Sequence, residues 1–288
     1  MRAPVRPIRG RWPGWLERRM TRFLRGDPRD ILDDSVDPET FRQLMSSLTV
    51  GETIKITGAN RHPNADALIV DLLSADELGQ ATIVDIGASD GSTSLDLIRR
   101  LGTFKSYVIA DLFLTLDAVQ VGRRTLFFQS DGTCVLVVGR RTIAWPTESP
   151  LIARWFSRLI DRARRQTLGR QSVLLLNPSV RQHMATDPRI SYRVHDIFQT
   201  WSGPTPDVIK VANLLRRLYF DDDTIVAALR ALLGSLREGG HLLVVDNPRM
   251  KNTPPRGGLY RRAGDHFAAV AQTGGIPEID DLVRTVSL

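Results

Sequence analysis

A glycine-containing turn at positions 84–91 carries the residue types best suited to binding a ligand. It reads Val-Asp-Ile-Gly-Ala-Ser-Asp-Gly, so Asp85 stands near the end of an apolar run, and Gly87 and Gly91 frame the turn. Small residues let a backbone approach a ligand closely, and the start of a following helix offers free N–H groups. The segment therefore predicts a cofactor-binding turn.

The turn does not match the dinucleotide-binding fingerprint. That fingerprint requires G-x-G-x-x-G. Counted from Gly87, it would need glycine at positions 89 and 92, where the chain has Ser89 and Ser92. The spacing disfavours a dinucleotide cofactor.

The same residues resemble motif I of class I S-adenosylmethionine-dependent methyltransferases, D/E-x-G-x-G-x-G. Asp85, Gly87 and Gly91 match the motif, and Ser89 replaces its middle glycine with another small residue. The resemblance implies S-adenosyl-L-methionine as the cofactor, bound by these four residues, and methyl transfer as the reaction.

The resemblance extends over residues 81–111 and 172–247. Asp111 ends the next apolar run 20 residues after Gly91. In the family, an acidic residue in this place binds both ribose hydroxyls. The resemblance therefore implies that Asp111 binds the cofactor ribose.

Two later segments resemble the family in the same order. Asp196 and Ile197 resemble the pair that follows the family's third strand, whose aspartate binds the adenine amino group. The run that ends at Asn213 resembles the fourth strand, and residues 236–246 resemble the helix end, turn and fifth strand. The resemblance thus adds Asp196, Ile197 and Asn213 to the expected cofactor site.

An alternative assignment of the ribose site stays open. Residues 175–178, Leu-Leu-Asn-Pro, are also similar to the end of the family's second strand, which would put Asn177 at the ribose and make 105–170 an insertion. We favour Asp111 because its spacing from Gly91 is right and because a carboxylate accepts bonds from both hydroxyls. A plainer alternative is that each of these acidic residues merely caps a turn.

Polar residues near the ends of the later strands are candidates for the methyl-acceptor side. Methyl transfer is an in-line displacement, and a base is needed only when the acceptor must lose a proton. The predicted catalytic residues are His266, Asn213 and Asp246. We expect His266 to lie in a C-terminal helix that faces the acceptor.

Further polar residues are expected to bind the acceptor. The predicted substrate-binding residues are His62, Arg216, Tyr219 and Asn247. His62 lies in a polar loop just before a helix that precedes the motif turn, and such a loop can close over a ligand. No metal is predicted, because Asn213 stands where catechol-type metal-dependent methyltransferases have an aspartate.

The elements that must position these residues alternate between strands and helices. Apolar runs predict strands at 81–87, 107–111, 172–177, 190–195, 207–212 and 241–245, and helices at 92–101 and 224–236. This alternation is typical of a parallel sheet. The predicted fold is α/β, a Rossmann-like class I methyltransferase sheet with helices on both faces.

Residues 112–170 interrupt this alternation and are predicted to be an insertion in a methyltransferase domain of residues 51–288. A Ser-Asp-Gly turn at 130–132 between two apolar runs predicts a β-hairpin. Residues 151–166 predict an amphipathic helix whose apolar face includes Leu151, Trp155 and Phe156. The tail is predicted as a helix at 260–273 and a last strand at 282–288.

The positive charge is concentrated near the N-terminus. The chain carries a formal net charge of +7, and positions 1–29 hold nine arginines against two acidic residues. Residues 1–50 are predicted to form a basic N-terminal arm and helical lid, with helices at 14–25 and 39–48. Such an arm can bind phosphates, RNA or an anionic surface, or stay solvated.

The composition excludes several classes of protein. Of the 288 residues, 42% are hydrophobic and 25% charged, which excludes disorder of the whole chain. The single cysteine, Cys134, excludes an intramolecular disulfide framework and a cysteine-rich zinc site. No apolar run reaches the roughly 18–20 residues that span a bilayer, and a soluble, cytoplasmic protein is expected.

These observations favour a methyltransferase that transfers a methyl group to an O or N atom of a small-molecule acceptor. One alternative is an RNA or protein methyltransferase that docks through the arginine-rich arm. Another is a non-catalytic, methyltransferase-like binding module. No membrane span is expected, and a homo-oligomer is compatible with the sequence.

Overall fold

The computed structural model describes residues 3–19, 23–24, 26–45, 49–50, 53–54, 61–248 and 253–288. The chain divides into two compact units, one of residues 1–57 and 113–179 and the other of residues 58–112 and 180–288. The C-terminal ends of the two predicted N-terminal helices lie partly outside the described residues.

The strands, in chain order, are β1 (Val5–Pro7), β2 (Thr49–Val50), β3 (Thr53–Ile54), β4 (Thr82–Ile86), β5 (Ser106–Asp111), β6 (Thr115–Val121), β7 (Arg124–Phe128), β8 (Cys134–Val138), β9 (Thr142–Ala144), β10 (Arg170–Leu174), β11 (Ile190–Val194), β12 (Val208–Ala212), β13 (His241–Asp246), β14 (Arg256–Ala263) and β15 (His266–Gln272).

The α-helices are α1 (Gly14–Arg19), α2 (Pro38–Met45), α3 (Pro63–Leu72), α4 (Ala75–Gln80), α5 (Ser92–Leu101), α6 (Pro150–Arg165), α7 (Pro178–Thr186), α8 (Asp222–Ser235) and α9 (Asp280–Thr285), and 3-10 helices lie at Pro28–Leu32 and Pro146–Glu148. Within the described ranges, no helix has the length and apolar character needed to cross a bilayer.

The second unit is built on a seven-stranded sheet of order β11-β5-β4-β12-β13-β14-β15. Its first five strands are parallel, and in chain order they read 3-2-1-4-5, the order of a doubly wound α/β fold. All five residues of β4 are buried, as expected for the central strand of a covered parallel sheet. The predicted α/β class is therefore confirmed.

Apolar side chains from the strands and two helices form the core on one side of this sheet. Residues of α8 and α9, among them Leu229, Leu233 and Val283, pack with Val211 of β12 and Val244 of β13. Elsewhere in the unit, α3 contacts α5 and β14. The parallel strands are thereby held with their carboxyl ends along one edge, where ligands of open α/β sheets bind.

The predicted helix at 260–273 is wrong, because this stretch forms the hairpin of β14 and β15. The hairpin turns at Gly264, whose φ of 66° suits glycine, and Tyr260 is buried in the core. The predicted last strand at 282–288 is also wrong, since α9 occupies most of it. Two aspartates in the first turn of α9 favour a helix there.

The first unit contains a six-stranded antiparallel sheet of order β1-β9-β8-β7-β6-β10. The predicted hairpin is present, with β7 and β8 on either side of the turn at 130–132. β1 pairs with β9, so the N-terminal segment belongs to this sheet. β10 pairs antiparallel with β6, so the strand predicted at 172–177 is not part of the parallel sheet.

Several arginines of the basic arm are engaged within their own unit. Arg29 and Arg11 contact the buried carboxylate of Asp27 at 2.5 and 3.2 Å. The guanidinium of Arg6 lies 5.5 Å from the centre of the Trp145 ring. These contacts leave the arm less free to bind a polyanion than its charge alone indicates.

Candidate functional site

The turn after β4 is fixed to the end of β5 by its backbone. Gly87 N–H and Ala88 N–H both donate to Ala110 O, at 2.8 and 3.1 Å. Ser89 N–H donates to Asp111 Oδ2 at 2.8 Å. The motif turn and the first predicted ribose-binding residue therefore meet at the carboxyl edge of the sheet.

Left-handed backbone conformations shape this turn. Gly87, Ser89 and Gly91 have φ values of 76°, 59° and 75°. Ser89, which stands in place of the motif's middle glycine, thus adopts a conformation that favours glycine. Its buried Oγ has no hydrogen-bond partner. A strained residue with an unsatisfied hydroxyl is typical of a ligand-binding position.

Gly87 also has a close neighbour within the protein, besides its predicted approach to a ligand. A methyl group added at Gly87 would lie 2.6 Å from Leu214 Cδ2. The close neighbour of this glycine is therefore a side chain of the protein itself. The absence of a side chain at 87 lets the residues after β12 approach the motif turn.

Asp90 is a buried residue of the turn that the sequence reasoning missed. Its carboxylate accepts from Ser92 N–H and from Ser92 Oγ–H, both at 2.9 Å. These bonds satisfy one N–H at the start of α5, where the N-cap residue Gly91 has no side chain to do so. The arrangement orders the first turn of the helix.

Beneath the turn, Asp85 belongs to a buried network of charged and polar side chains. It accepts from Ser94 Oγ–H at 2.8 Å and from Tyr107 O–H at 3.0 Å. Lys210, in the middle of β12, donates to Asp66 Oδ1 at 2.7 Å. Both acids and the lysine are at most 3% exposed.

Burial and neighbouring charges shift the pKa values in this network. Burial raises the pKa of Asp85 and of Asp66. Burial by itself would lower the pKa of Lys210, but the two nearby carboxylates outweigh it and raise this pKa. A lone lysine in an apolar strand was the one sequence signal for this network. The hydrogen bonds of this network tie Asp85 to α5 and β5, so Asp85 helps to position the turn above it.

The structure brings together three predicted residues from distant parts of the chain: His62, Asn213 and Asn247. His62 Nε2 lies 2.8 Å from Asn247 Oδ1 and 3.1 Å from Asn213 Nδ2. Asn213 Nδ2 also donates to Asn247 Oδ1 at 2.7 Å. Asn213 has a left-handed φ of 58°, which marks it, like Ser89, as a conformationally special position.

The hydrogen bonds of this cluster fix the tautomer of His62. Asn247 N–H donates to Asn213 Oδ1 at 2.7 Å, which identifies the other amide atom of Asn213 as the NH₂ group. That group donates to Asn247 Oδ1, so this atom is an oxygen and His62 Nε2 must carry the proton. His62 Nδ1 is then an unprotonated acceptor, and it is buried with no hydrogen-bond partner.

The surroundings keep the imidazole of His62 neutral. Burial, together with the positive charges of Lys210 and Arg61, lowers its pKa to about 3. At neutral pH His62 therefore offers a lone pair to a hydrogen-bond donor. It is a poor acceptor of a whole proton.

Two other candidates for the acceptor side, Asp246 and Arg216, form hydrogen bonds with neighbouring residues of the protein. Asp246 accepts from Arg256 Nε at 2.8 Å and from Glu278 N–H, and is 2% exposed. Both carboxylate oxygens of Asp246 therefore have partners within the protein, and its catalytic role stays a prediction. Arg216 Nη1 donates to Asn247 O at 3.0 Å. Tyr219 is half-exposed nearby in sequence.

His266 begins β15 and not a helix, it lies far from the cluster of His62, Asn213 and Asn247, and its catalytic role stays a prediction. It pairs with Ala263, at the opposite end of β14 from Arg256, which pairs with Asp246. That separation corresponds to roughly 23 Å of strand. Its side chain is 54% exposed and contacts Asp265.

Asp111, predicted to bind the ribose, and Asp196, predicted to bind the adenine, lie at the ends of the neighbouring strands β5 and β11. Asp111 pairs with Val194, the last residue of β11, and its carbonyl accepts from His195 N–H at 3.1 Å. Asp196 follows directly, and its Oδ1 accepts from Phe198 N–H at 3.1 Å. Both acids thus lie at the carboxyl edge of the sheet, and the buried Ile197 follows Asp196 in the chain.

Asn177, the alternative ribose residue, belongs to the first unit. Its Nδ2 donates to Pro38 O at 3.0 Å, and its Oδ1 accepts from Ser179 N–H. β5 is the strand that follows β4 and pairs with it.

Within the described residues, no group of three or more His, Cys, Asp or Glu side chains could hold a metal ion.

No protein-family model matches the chain, and no curated protein is significantly similar to it in sequence. Among solved structures, the mitomycin 7-O-methyltransferase MmcR aligns at 16% identity over 65% of this chain and 37% of its own, with a TM-score of 0.33. CalS10, an amino pentose methyltransferase from Micromonospora echinaspora, aligns at 14% identity over 72% and 66%, with a TM-score of 0.34.

A third similar structure is the O-methyltransferase NcsB1, with S-adenosyl-L-homocysteine and 1,4-dihydroxy-2-naphthoic acid bound. It aligns at 15% identity over 62% of this chain and 34% of its own, with a TM-score of 0.32. This chain therefore spans little more than a third of the length of MmcR and NcsB1. Identities and scores this low assign no activity to the chain, and its function has to be inferred from the geometry of the site.

Proposed function

We propose that the protein is an S-adenosyl-L-methionine-dependent methyltransferase acting on a small-molecule acceptor. The observation that carries the proposal is the bond from Ser89 N–H to Asp111 Oδ2. It joins the motif turn to the acid at the end of the neighbouring strand, in the place where open α/β sheets bind nucleotide-like ligands.

The cofactor would be held by residues along the carboxyl edge. Asp111 would accept from the ribose hydroxyls, and Asp196 with Ile197 would contact the adenine. The unsatisfied Ser89 Oγ supports a polar ligand at the turn, because a buried hydroxyl without a partner is costly. When bound, the cofactor supplies an electrophilic methyl group on its sulfonium.

The acceptor would meet the cluster of His62, Asn213 and Asn247. His62 Nδ1 can accept a hydrogen bond from a hydroxyl or an N–H group and so orient the nucleophilic atom. Burial and the nearby charges of Lys210 and Arg61 disfavour a cation there. We therefore favour an uncharged acceptor, methylated on O or N.

The roles of the remaining residues follow from their contacts. Arg216 would hold the Asn247 backbone in place, and half-exposed Tyr219 would line the entrance for the acceptor. We propose that the enzyme works in the cytoplasm, in keeping with its single, buried and unpaired cysteine.

Two measurements test the proposal on the full chain. Calorimetric titration with S-adenosyl-L-homocysteine tests the cofactor site. Mass spectrometry of a panel of small phenols and aromatic amines, which are uncharged at neutral pH, tests methyl transfer after incubation with enzyme and S-adenosyl-L-methionine. Failure to bind either form of the cofactor at millimolar concentration contradicts the proposal.

A further inference from the structure

The segment containing α6 leaves unusually exposed apolar side chains. Leu151, Trp155 and Leu168 are 79%, 81% and 85% exposed, and no other large hydrophobic residue in the described part of the chain exceeds 59%. Leu151 and Trp155 were expected to join the buried face of the helix. Instead, the buried residues of α6 are Ile160 and Ala163, which pack against the sheet of the first unit.

The exposed apolar residues share one side of α6 with a row of arginines. At 3.6 residues per turn, Leu151 and Trp155 fall within an arc of about 100° that also contains four arginines. These are Arg154, Arg158, Arg162 and Arg165, and all four are exposed. We call these six residues the α6 face.

Within the described part of the chain, no acidic side chain neutralises the charges of the α6 face. None of its four guanidinium groups forms an ion pair or hydrogen bond with a described residue. The one acid in the helix, Asp161, lies beside the face, 3.6 Å from Arg164. Free positive charge next to exposed Trp and Leu suits an anionic membrane surface, because arginines attract headgroup phosphates and the apolar side chains can enter the interface.

We propose that the α6 face docks on an anionic lipid bilayer. Trp155 and Leu151 would enter the interfacial region, and the four arginines would contact headgroup phosphates along the roughly 24 Å of the helix. A nucleic acid is the weaker choice, because Leu151 can neither stack on a base nor donate a hydrogen bond. The inference rests on α6 alone and does not depend on methyl transfer.

Co-sedimentation of the full chain with lipid vesicles tests the proposal. We expect binding to vesicles of phosphatidylcholine with phosphatidylglycerol, weakened by added salt and absent with phosphatidylcholine alone. Arg158→Gln with Arg162→Gln should weaken binding by about thirtyfold. Leu151→Ser with Trp155→Ser should weaken it by about tenfold or more.

A matched control carries the same loss of charge elsewhere. Arg99→Gln with Lys105→Gln removes two exposed positive charges from the second unit and should leave vesicle binding unchanged within about twofold. Circular dichroism of each variant checks that the fold is intact. Equal weakening by the control pair would overturn the proposal, since binding would then follow net charge alone.

Two further results would also overturn it. One is binding of a labelled single-stranded RNA that is lost in the arginine variant, with no vesicle binding by the wild type. The other is a dimer in light scattering that dissociates in the Leu151/Trp155 variant, again without vesicle binding. In the first case the α6 face would recognise nucleic acid, and in the second another copy of the chain.

Discussion

Ser89 and Asp111 are joined by a 2.8 Å hydrogen bond, from the backbone N–H of a left-handed residue to a carboxylate at the next strand's end. The carboxylate thereby holds the turn in the strained form that presents Ser89 Oγ. The two residues are 22 positions apart, and each depends on the other for its place in the site.

Replacement of Asp111 tests the ribose assignment. Asp111→Ala should weaken S-adenosyl-L-homocysteine binding by roughly ten- to a hundredfold, because charge-assisted bonds to two hydroxyls are lost. The matched control is Asn177→Ala, which should change the affinity by less than about threefold. Calorimetry measures both, and the reverse ranking would move the ribose site to Asn177.

Two substitutions at Ser89 separate backbone strain from ligand contact. Ser89→Gly should raise the free energy of unfolding by about 1 kcal/mol, because glycine adopts the left-handed conformation without a Cβ clash. Ser89→Ala keeps the strain. Both should lower cofactor affinity by about three- to tenfold if Oγ binds the ligand. Wild-type affinity in both variants would rule out that contact.

Removal of Lys210 tests the buried network under the turn. Lys210→Met should destabilise the protein by about 3–5 kcal/mol, because Asp66 and Asp85 would stay buried without a cation. The control is Arg237→Met, which breaks an exposed pair with Asp207 and should cost at most about 1 kcal/mol. Urea denaturation gives both values. Similar costs would show that burial of the pair contributes little.

His62 should make stability depend on pH in the acid range. Its pKa is lowered from 6.5 to about 3 in the folded protein, so the unfolded chain binds the extra proton between these values. Stability from this group is complete above pH 6.5 and is lost as pH falls toward 3, by at most about 1.4 kcal/mol per unit.

The variant His62→Gln should flatten this dependence, since glutamine does not titrate. Denaturant titrations at several pH values give the slopes. An unchanged slope in His62→Gln would mean that other groups account for the acid sensitivity.

The parallel strands were predictable because their signal is local. β4, β5, β12 and β13 are short apolar runs that end in polar residues or glycine, and a buried parallel strand needs no more. The hairpin of β14 and β15 was not predictable in the same way. Phe267 is the one buried residue of β15, so little alternation marks the strand. It is held in the sheet through β14, which pairs with β13 on its other side.

In the candidate site, too, local sequence signals were predictive and contacts between distant positions were not. Asn213 and Asn247 could be predicted to lie together because each follows a parallel strand, and the carboxyl ends of such strands share an edge. The contact of His62 with them spans 151 positions in one case and 185 in the other, and no spacing rule reaches so far. Lys210 stands out in an apolar strand, but its partner Asp66 lies on a helix 144 positions earlier, so the sequence did not reveal the pair.

The pairing of β1 with β9 has a consequence for biosynthesis. The first strand must wait until residues 142–144 leave the ribosome before it finds its neighbour. When β5 ends at residue 111, β12, the partner on the other side of β4, is still about 100 residues from synthesis. At ribosomal speeds of 5–20 residues per second, β4 keeps an unpaired edge for roughly 5–20 s. During that interval a nascent chain exposes one edge of a strand that is wholly buried in the folded protein, and such an edge favours aggregation until β12 covers it.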